Sequence, residues 1–538
     1  MSAAPPPVWP RWTRAAAGLA VLGLLALLLL RIHSAPVDRY GDSAAGWIEH
    51  QARLRALHAA AEATGPLDLL KRADGLYPPG LHLLSAPLLW LAGPDPRAAG
   101  LIGPAALLVL AWGVGRWAEG LRRGAGLPAA LIAALTPALH GMSARYAYDL
   151  PMAAALWATV GWAAGPRPRP LTSAITTLCA ALLKWSALPL GLPLLLGAAA
   201  GRRRGTALFA SALCVAAPVL GSLAGLASLE AMSSTTFQPP TGAKVLEAIA
   251  ALPVVGPALA AMAAQAAALD AARLGFYPSR LWWSCYGPAG ALGLLPLVAM
   301  GLRARATRAP ILVGTALSAL FLLLLLPPLD ERFLVAWLGL PAATAGVGLT
   351  GLSARARGPA LTCVAVVGLA LAADLHAPGR WAPTLDPAEL SLAAQGRGPG
   401  VGLGPASAVD RRGWARTADR LPPRDALGDA LRAVLRTAGA QRGRPVLSRD
   451  RLRLPEGEQN WWGAWQAAAA HAGEALQIEL LPPGPLPPPR RGALLLLPAA
   501  DAPWAEPGDA APPAGWRPCA PAQIDDPEGG PGLRCFEG

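Results

Sequence analysis

Residues 98–123 read AAGLIGPAALLVLAWGVGRWAEGLRR, an apolar run that ends in three arginines, Arg116, Arg122 and Arg123. A helix needs about 20 mainly apolar residues to cross the hydrocarbon core of a bilayer. This stretch therefore predicts a transmembrane helix with a basic end. Similar apolar segments recur, and together they predict an α-helical polytopic membrane protein of about 11 spans. The predicted spans lie near 15–32, 98–115, 127–141, 150–164, 171–183, 186–200, 206–229, 286–302, 310–327, 333–350 and 359–375.

The arginines between these segments fall on one side of the membrane when the spans are numbered alternately in and out. That side carries fifteen arginines and one acid, Glu119. Basic loops mark the cytoplasmic side, so the acids Asp38, Asp42, Glu49, Asp68, Asp74, Asp149, Glu230, Asp270, Asp330 and Glu331 come out on the other side. The sequence thus predicts that the acidic chemistry of this protein takes place outside the cytoplasm.

Composition narrows the function classes and the location. The 538 residues are 54% hydrophobic, with a net charge of +13. The positive charge lies in short loops between apolar segments, where membrane lipid headgroups and topology account for it, so no nucleic acid is expected as a partner. Only three lysines occur, Lys71, Lys184 and Lys244, which makes each of them conspicuous. We expect a multi-pass protein of a bacterial inner membrane.

The composition changes near residue 376, where apolar spans give way to Pro, Gly, Arg and Asp. We predict a transmembrane domain over 1–375, a linker over 376–420 and an extracytoplasmic α/β domain over 421–538. Two further apolar runs, 80–93 and 250–268, would invert every later basic loop if they crossed the membrane. They are therefore expected to stay on the outer side.

The last region alternates helix and strand patterns, which is typical of an α/β domain. Cys519 and Cys535 both fall in this exported tail, where the compartment permits a disulfide, and we expect them to pair. Helices are predicted at 425–440 and around Trp461–His471, strands at Pro445–Leu447, 475–481 and 493–498, and Pro-rich loops at 482–489 and 511–518.

The segment Asp38-Arg39-Tyr40-Gly41-Asp42-Ser43 follows the first span on the outer side. A carboxylate held at a membrane surface can act as general base for an acceptor hydroxyl or amine, and Glu49 and His50 follow Asp42 within two turns of a predicted helix. The alternative interpretation is that Asp42 or Ser43 only caps that helix.

A second outer motif is Arg145-Tyr146-Ala147-Tyr148-Asp149, which the apolar pattern places at the end of the third span. Arg145 and Asp149 are four residues apart, so on a helix they share one side and can form an ion pair. They can also line a polar pocket at the headgroup level. The tyrosines are typical of a membrane interface.

Two further charged motifs lie next to apolar segments. Lys184 stands between two predicted spans, and an ionisable residue at membrane depth is a candidate for function. The alternative is that its ammonium reaches the outer interface beside Trp185. Arg332, in Asp330-Glu331-Arg332-Phe333, can grip a phosphate with its planar fork or can pair with the neighbouring acids.

The order of these motifs resembles that of GT-C-fold glycosyltransferases of the protein-mannosyltransferase and aminoarabinose-transferase type. The resemblance covers about residues 15–375 and rests on motif order and topology. One departure is that the first family motif is often Asp-Glu, whereas this chain has Asp38 and Asp42 with Arg39 and Ser43 beside them. The matching elements are Asp42 or Asp38, Tyr77-Pro78-Pro79, Asp149, Lys184-Trp185, Phe276-Tyr277 and Arg332-Phe333.

The resemblance implies an inverting transferase that passes a hexose or pentose from a polyprenyl-phosphate donor to a glycan, lipid or protein acceptor on the outer face. Asp42 or Asp38 would serve as the base, and Asp149 and Arg145 would shape the donor site. Lys184 and Arg332 would bind the phosphate, while Glu49, His50, Tyr77 and Tyr277 would belong to the acceptor side or its loops. No cofactor is certain, and a divalent metal is left open. The rival classes are a lipid-linked sugar transporter or flippase, and a non-catalytic membrane scaffold.

Overall fold

The computed structural model describes residues 9–34, 78–92, 96–143, 147–184, 186–201, 204–223, 277–278, 281–324, 333–376, 445–449, 477–481, 486, 488–498, 514–524 and 533–538. These residues belong to two compact units. The first holds the helices, apart from residues 32–34, 87–92 and 96–100, which group with the strands in the second. The last helix among the described residues ends at His376, next to the predicted start of the linker.

The first unit is built from helices whose positions follow the apolar segments. Every predicted span overlaps a described helix, and the run at 80–93 forms a helix of 13 residues, too short to span. The helices are α1 (Arg11–Ser34), α2 (Gly80–Ala92), α3 (Pro96–Gly100), α4 (Ile102–Leu121), α5 (Gly126–Ala134), α6 (Pro137–Ser143), α7 (Asp149–Ala164), α8 (Pro170–Leu183), α9 (Ala187–Ala199), α10 (Arg204–Leu223), a π-helical turn (Leu281–Tyr286), α11 (Gly287–Arg303), α12 (Arg305–Leu324), α13 (Leu334–Trp337), α14 (Gly339–Thr350) and α15 (Ala354–His376).

The chain is a multi-pass membrane protein, and its helices differ in length. Within the described ranges, four helices are long and apolar enough to cross a membrane: Arg11–Ile32, Ala98–Leu121, Arg305–Leu323 and Ala354–Ala373. A fifth candidate is the pair α5 and α6, which is bent by 61°. Pro137 explains the bend, because proline lacks an N–H and restricts the residue before it. The count of about 11 spans stays a prediction.

Glycine allows the central helices of this unit to pack closely. A β-carbon at Gly113 in α4 would collide with the Trp157 carbonyl of α7, and one at Gly161 would lie 2.9 Å from the Gly113 carbonyl. Small residues let helices in a membrane approach to backbone contact. Near this crossing, the buried Trp157 indole donates a hydrogen bond of 2.7 Å to the Ala336 carbonyl and so ties α7 to α13.

The basic segments of the first unit meet at one end, as the topology argument predicts. This follows from contacts between segments that are far apart in sequence, since each contact joins two of the basic ends or loops. The Trp9 indole donates a hydrogen bond to the Gly124 carbonyl at 2.8 Å, and Arg116 donates one to the Arg167 carbonyl at 2.7 Å. Three close contacts join further basic segments: Gly358 lies against Trp12, Gly351 against Arg122, and Gly201 against Pro310.

Glu119, the one acid of this basic end, has a structural role. Its carboxylate accepts hydrogen bonds from the backbone N–H groups of Gly124, at 2.9 Å, and Gly126, at 3.0 Å. Gly126 is the first residue of α5, where N–H groups lack helical partners and attract a negative charge. Gly124 has a φ of 84°, a conformation that glycine adopts without strain.

The second unit contains a five-stranded mixed sheet with strand order β2-β1-β3-β5-β4. Strand β1 is parallel to both β2 and β3, while β5 runs antiparallel to β3 and β4. The sheet packs on a small core of Ala493, Leu495, Leu497, Trp516 and Phe536. The strands are β1 (Pro445–Arg449), β2 (Gln477–Leu481), β3 (Leu494–Pro498), β4 (Arg517–Ile524) and β5 (Leu533–Glu537).

The three strands predicted from the sequence correspond to β1, β2 and β3, whereas β4 and β5 were not predicted. The prediction of a loop over 511–518 was wrong at its end, because β4 begins at Arg517. The predicted disulfide joins Cys519 to Cys535, with 5.3 Å between the Cα atoms, and so links β4 to β5. The helices predicted at 425–440 and 461–471 lie outside the described residues.

Candidate active site

Asp149 and Lys184 form a buried ion pair at the end of the helices opposite the arginines. The Lys184 ammonium donates to Asp149 Oδ1 at 2.6 Å, and the two side chains are only 8% and 3% exposed. Helix α7 begins at Asp149 and ends beside the contact between Arg116 and Arg167. Its 16 residues place the ion pair about 24 Å from that basic end.

The local sequence explains why both groups lie at this end. Lys184 has an extended backbone (φ −157°, ψ 136°) between α8 and α9, so it closes one helix just before the next begins. Asp149 is the first residue of α7. A carboxylate is favoured there, because the N-terminus of a helix carries a partial positive charge.

Aromatic and small residues surround the ion pair. The Lys184 ammonium lies 5.8 Å from the centre of the Phe333 ring, just ahead of α13. Tyr148, next to Asp149, contacts the buried His82 of α2, with 6.1 Å between the ring centres. A β-carbon at Gly80 would lie 2.5 Å from the Leu182 carbonyl, so the start of α2 presses on the end of α8. Three motifs from the sequence therefore lie close together here: Pro78-Pro79 just ahead of α2, Lys184 and Asp149.

The pair holds two opposite charges in a region that excludes water. Taking both charges out of water is costly, and a close geometry offsets only part of that cost. Ionisable residues at membrane depth usually mark a path or site for a charged ligand. The bond to Asp149 holds the ammonium in place at the end of α7, where it can act on an anionic group of a lipid-linked ligand.

One sequence-based expectation about this pair is wrong, and the structure adds to what the sequence left open for Lys184. Arg145 and Asp149 were expected to share one side of a continuous helix, but α6 ends at Ser143 and Asp149 begins α7. The carboxylate of Asp149 bonds Lys184, which lies 35 residues further along the chain. Lys184 was also considered as a residue that reaches the outer interface, yet its side chain is buried.

The other predicted site residues are not brought together with this pair by any described contact. Tyr277 is buried in a short described turn of residues 277–278. Asp38, Asp42, Glu49, His50, Tyr77, Arg145 and Arg332 lie outside the described residues. Among the residues that the structure does describe, no group of three His, Cys, Asp or Glu side chains is placed to hold a metal ion.

Histidines were missed by the sequence-based prediction. His82 lies beside the ion pair as described above. His140 of α6 and His376 of α15 form a second buried polar contact, with 2.9 Å between Nδ1 and Nε2. A histidine within an apolar helix is the sequence signal that could have drawn attention to each residue. No spacing rule predicts their contact, because 236 positions separate them in the chain.

No family model matches the chain, and no curated protein matches it. Solved structures that are similar to it include two proteins, and both are GT-C-fold glycosyltransferases, the class that the sequence resembles. ArnT from Cupriavidus metallidurans gives a TM-score of 0.46 in the apo state, with 16% identity over 86% of each chain. The same protein bound to undecaprenyl phosphate gives 0.47, with 15% identity over 87% of this chain and 85% of that one.

The second protein is the oligosaccharyltransferase AglB from Archaeoglobus fulgidus, in complex with an inhibitory peptide and a dolichol-phosphate. Its TM-score is 0.44, with 11% identity over 87% of this chain and 64% of AglB. At TM-scores below 0.5, neither the reaction nor the ligand of this chain follows from these neighbours. The functional case rests on the residues of the chain itself.

Proposed function

We propose that this protein is a membrane glycosyltransferase that moves a sugar from a polyprenyl-phosphate donor to a glycan, lipid or protein acceptor on the outer face of the cytoplasmic membrane. The observation that carries the proposal is the buried pair of Lys184 and Asp149, joined at 2.6 Å far from the basic end. A polyprenyl phosphate presents a charged group at the membrane surface and an apolar tail within the bilayer. A buried cation near the outer end of the helices fits such a donor.

The reaction breaks the bond between the sugar C1 and the phosphate oxygen and forms a bond from C1 to the acceptor atom. The electron pair leaves with the polyprenyl phosphate, so negative charge grows on the phosphate oxygens. A fixed ammonium stabilises that charge more strongly in the transition state than before it. The proton of the acceptor passes to a carboxylate base, for which Asp42 or Asp38 is our proposal. A single displacement inverts the configuration at C1.

The described geometry favours different roles for the two paired residues. Lys184 meets the donor phosphate, and Asp149 orients the ammonium rather than touching the sugar. Arg332 precedes Phe333, whose ring lies 5.8 Å from the ammonium, and it is proposed as a second phosphate ligand. Arg145 is proposed at the same donor site. Glu49, His50, Tyr77 and Tyr277 remain proposed for the acceptor side, and a divalent metal is left open.

The test uses the full-length protein in nanodiscs, supplied with synthetic polyprenyl phosphates that carry a labelled hexose or pentose and with a membrane extract as the source of acceptor. The expected result is label in an acceptor fraction and an equal amount of released polyprenyl phosphate. Lys184→Met should lower kcat/KM for the donor by about 10²–10³, the usual worth of one group that stabilises a developing oxyanion. Lys184→Arg, which keeps the charge, should retain more activity than Lys184→Met.

The same labelled donors, used with the protein in nanodiscs and in sealed vesicles, separate the rival classes. A flippase moves the intact lipid-linked sugar across the vesicle membrane and releases no polyprenyl phosphate in either preparation. A scaffold does neither. Donor cleavage that is equal in the wild type and in folded Lys184→Met would remove the phosphate-binding role of Lys184, even if the protein is a transferase.

A further inference from the structure

The basic end of the first unit carries a cluster of arginine and tryptophan side chains that the proposed reaction does not use. The Arg116 guanidinium lies 4.1 Å from the centre of the Trp162 ring and 5.7 Å from that of Trp112. Arg169 lies 5.0 Å from the same Trp162 ring. Two arginines thus share one indole within cation–π distance, which fixes the positions of their charges.

Hydrogen bonds hold the centre of this Arg–Trp cluster in place. Arg116 Nε donates to the Gly161 carbonyl at 3.0 Å, and Arg116 Nη2 donates to the Arg167 carbonyl at 2.7 Å. The loop that carries Arg167 and Arg169 is thereby tied to α4. The guanidinium groups of Arg116 and Arg169 both lie against the Trp162 ring, so their like charges repel each other. The fold therefore maintains three positive charges in one place against their repulsion.

The described residues give this positive charge no acidic partner. Within the described ranges, none of the three arginines forms an ion pair with an acid. The nearest acid along α4, Glu119, is bonded to the N–H groups of Gly124 and Gly126 instead. Arg167 and Arg169 are exposed. An anionic ligand would fit this cluster.

An exposed apolar surface leads from the cluster along α4 towards the middle of the helix. Leu108, Trp112 and Arg116 follow one another at intervals of four residues and so lie on one face of α4. Leu108 and Trp112 are 39% and 41% exposed, large fractions for side chains of this size. A ligand that matches the whole surface has an anionic head beside the arginines and a hydrocarbon tail along Leu108 and Trp112.

We propose that Arg116, Arg167, Arg169 and the Trp112–Trp162 pair form a binding site for the headgroup of an anionic phospholipid at the cytoplasmic leaflet. The shared chemistry is a phosphate oxyanion, and the adjacent apolar face selects a lipid over a free phosphate. Anionic lipids are attracted to clustered arginines at this leaflet. The site is about 24 Å from Lys184 along α7 and does not depend on the transfer reaction.

The test is lipid-dependent thermal stabilisation of the full-length protein in neutral detergent. Phosphatidylglycerol is titrated against phosphatidylcholine, and the thermal midpoint gives an apparent affinity. Arg167→Gln/Arg169→Gln should weaken the apparent affinity for phosphatidylglycerol by up to about 30-fold, since each exposed ion pair between an arginine and the bound phosphate is worth up to about fivefold. Arg116 is left unchanged, because its hydrogen bonds to two backbone carbonyls hold the loop.

The matched control is Arg303→Gln/Arg305→Gln. It removes the same charge from exposed positions at the same end of the molecule, where no described aromatic ring contacts the arginine. This control should keep an affinity within about threefold of the wild type, since it weakens only the general field. An equal loss in both double variants would overturn the site in favour of a diffuse attraction.

A second arm distinguishes the source of the phosphate. Inorganic phosphate, compared with chloride at equal ionic strength, should neither stabilise the protein nor compete with phosphatidylglycerol. Competition by inorganic phosphate would overturn the lipid proposal. Arg167→Lys/Arg169→Lys keeps the charge but loses the planar contact with Trp162, so it should fall between the wild type and the glutamine variant. If the glutamine variant does not fold without lipid, the affinity of the lysine variant for phosphatidylglycerol is measured in its place. An affinity of the lysine variant equal to that of the wild type would overturn the role of the aromatic contact.

Discussion

Removing one charge of the pair between Asp149 and Lys184 is predicted to lower the stability of the fold far more than removing both charges. Lys184→Met leaves a carboxylate buried in a site of 3% exposure, and Asp149→Asn leaves an ammonium in one of 8% exposure. Losing one partner of a buried ion pair typically costs about 3–5 kcal/mol, whereas apolar replacement of both is often neutral. The double variant Asp149→Leu/Lys184→Met should therefore recover most of the stability lost by either single variant.

The assay is unfolding of the purified protein in mixed micelles with increasing denaturing detergent, followed by tryptophan fluorescence. A neutral hydrogen bond between α7 and α8 provides the control, since Thr159 Oγ1 and Thr176 Oγ1 are 2.9 Å apart. The cycle of Thr159→Val and Thr176→Val should give a coupling energy of only about 0.6 kcal/mol, the average for hydrogen bonds within membranes. Additive losses across the Asp149 and Lys184 variants would refute the buried ion pair.

Three further predictions concern other parts of the chain. Glu119→Ala should lower the free energy of unfolding in the same micelle assay by about 0.5–2 kcal/mol, the usual cost of losing a helix cap. Glu119→Asp should recover little of that loss, because the aspartate side chain is one methylene shorter. Asp42→Asn should preserve folding, since Asn caps a helix as well as Asp does, yet lower sugar transfer by about 10²–10⁴, with Asp38→Asn doing less. Full transfer activity in both variants and in their double variant would exclude the outer carboxylates as base. A reporter fused after residue 380 should be active only outside the cytoplasm, and cytoplasmic activity would reverse the assigned faces.

The positions of the helices could be predicted from the sequence because each apolar segment carries its own signal. The common end of the basic loops could also be predicted, since the charge bias is a property of single loops. Lys184 stood out because lysine is rare in this chain. Its partner did not, because the i to i+4 rule assumes a continuous helix and the chain leaves the helix between Ser143 and Asp149. Pairing across 35 residues depends on helix packing, which no local pattern records.

The last two strands illustrate another limit of local patterns. Strand β4 contains Pro518 and Pro521, and proline in a run normally argues against a strand because it cannot donate to the ladder. The structure tolerates both prolines since β4 is an edge strand of the sheet and its pairing with β5 shifts register between Pro518 and Gln523. Only the sheet order reveals that this strand has one free side.

The measurement that tests the central claim most directly is the release of polyprenyl phosphate by protein in nanodiscs. A labelled polyprenyl-phosphate sugar is incubated with the wild type, Lys184→Met and Lys184→Arg, and the lipid phosphate and the acceptor-bound sugar are counted together. The account predicts equal molar amounts of both products from the wild type, about 10²–10³ less from Lys184→Met at low donor concentration, and an intermediate amount from Lys184→Arg. Label that stays attached to its lipid, with no polyprenyl phosphate released by the wild type or either variant, would contradict it.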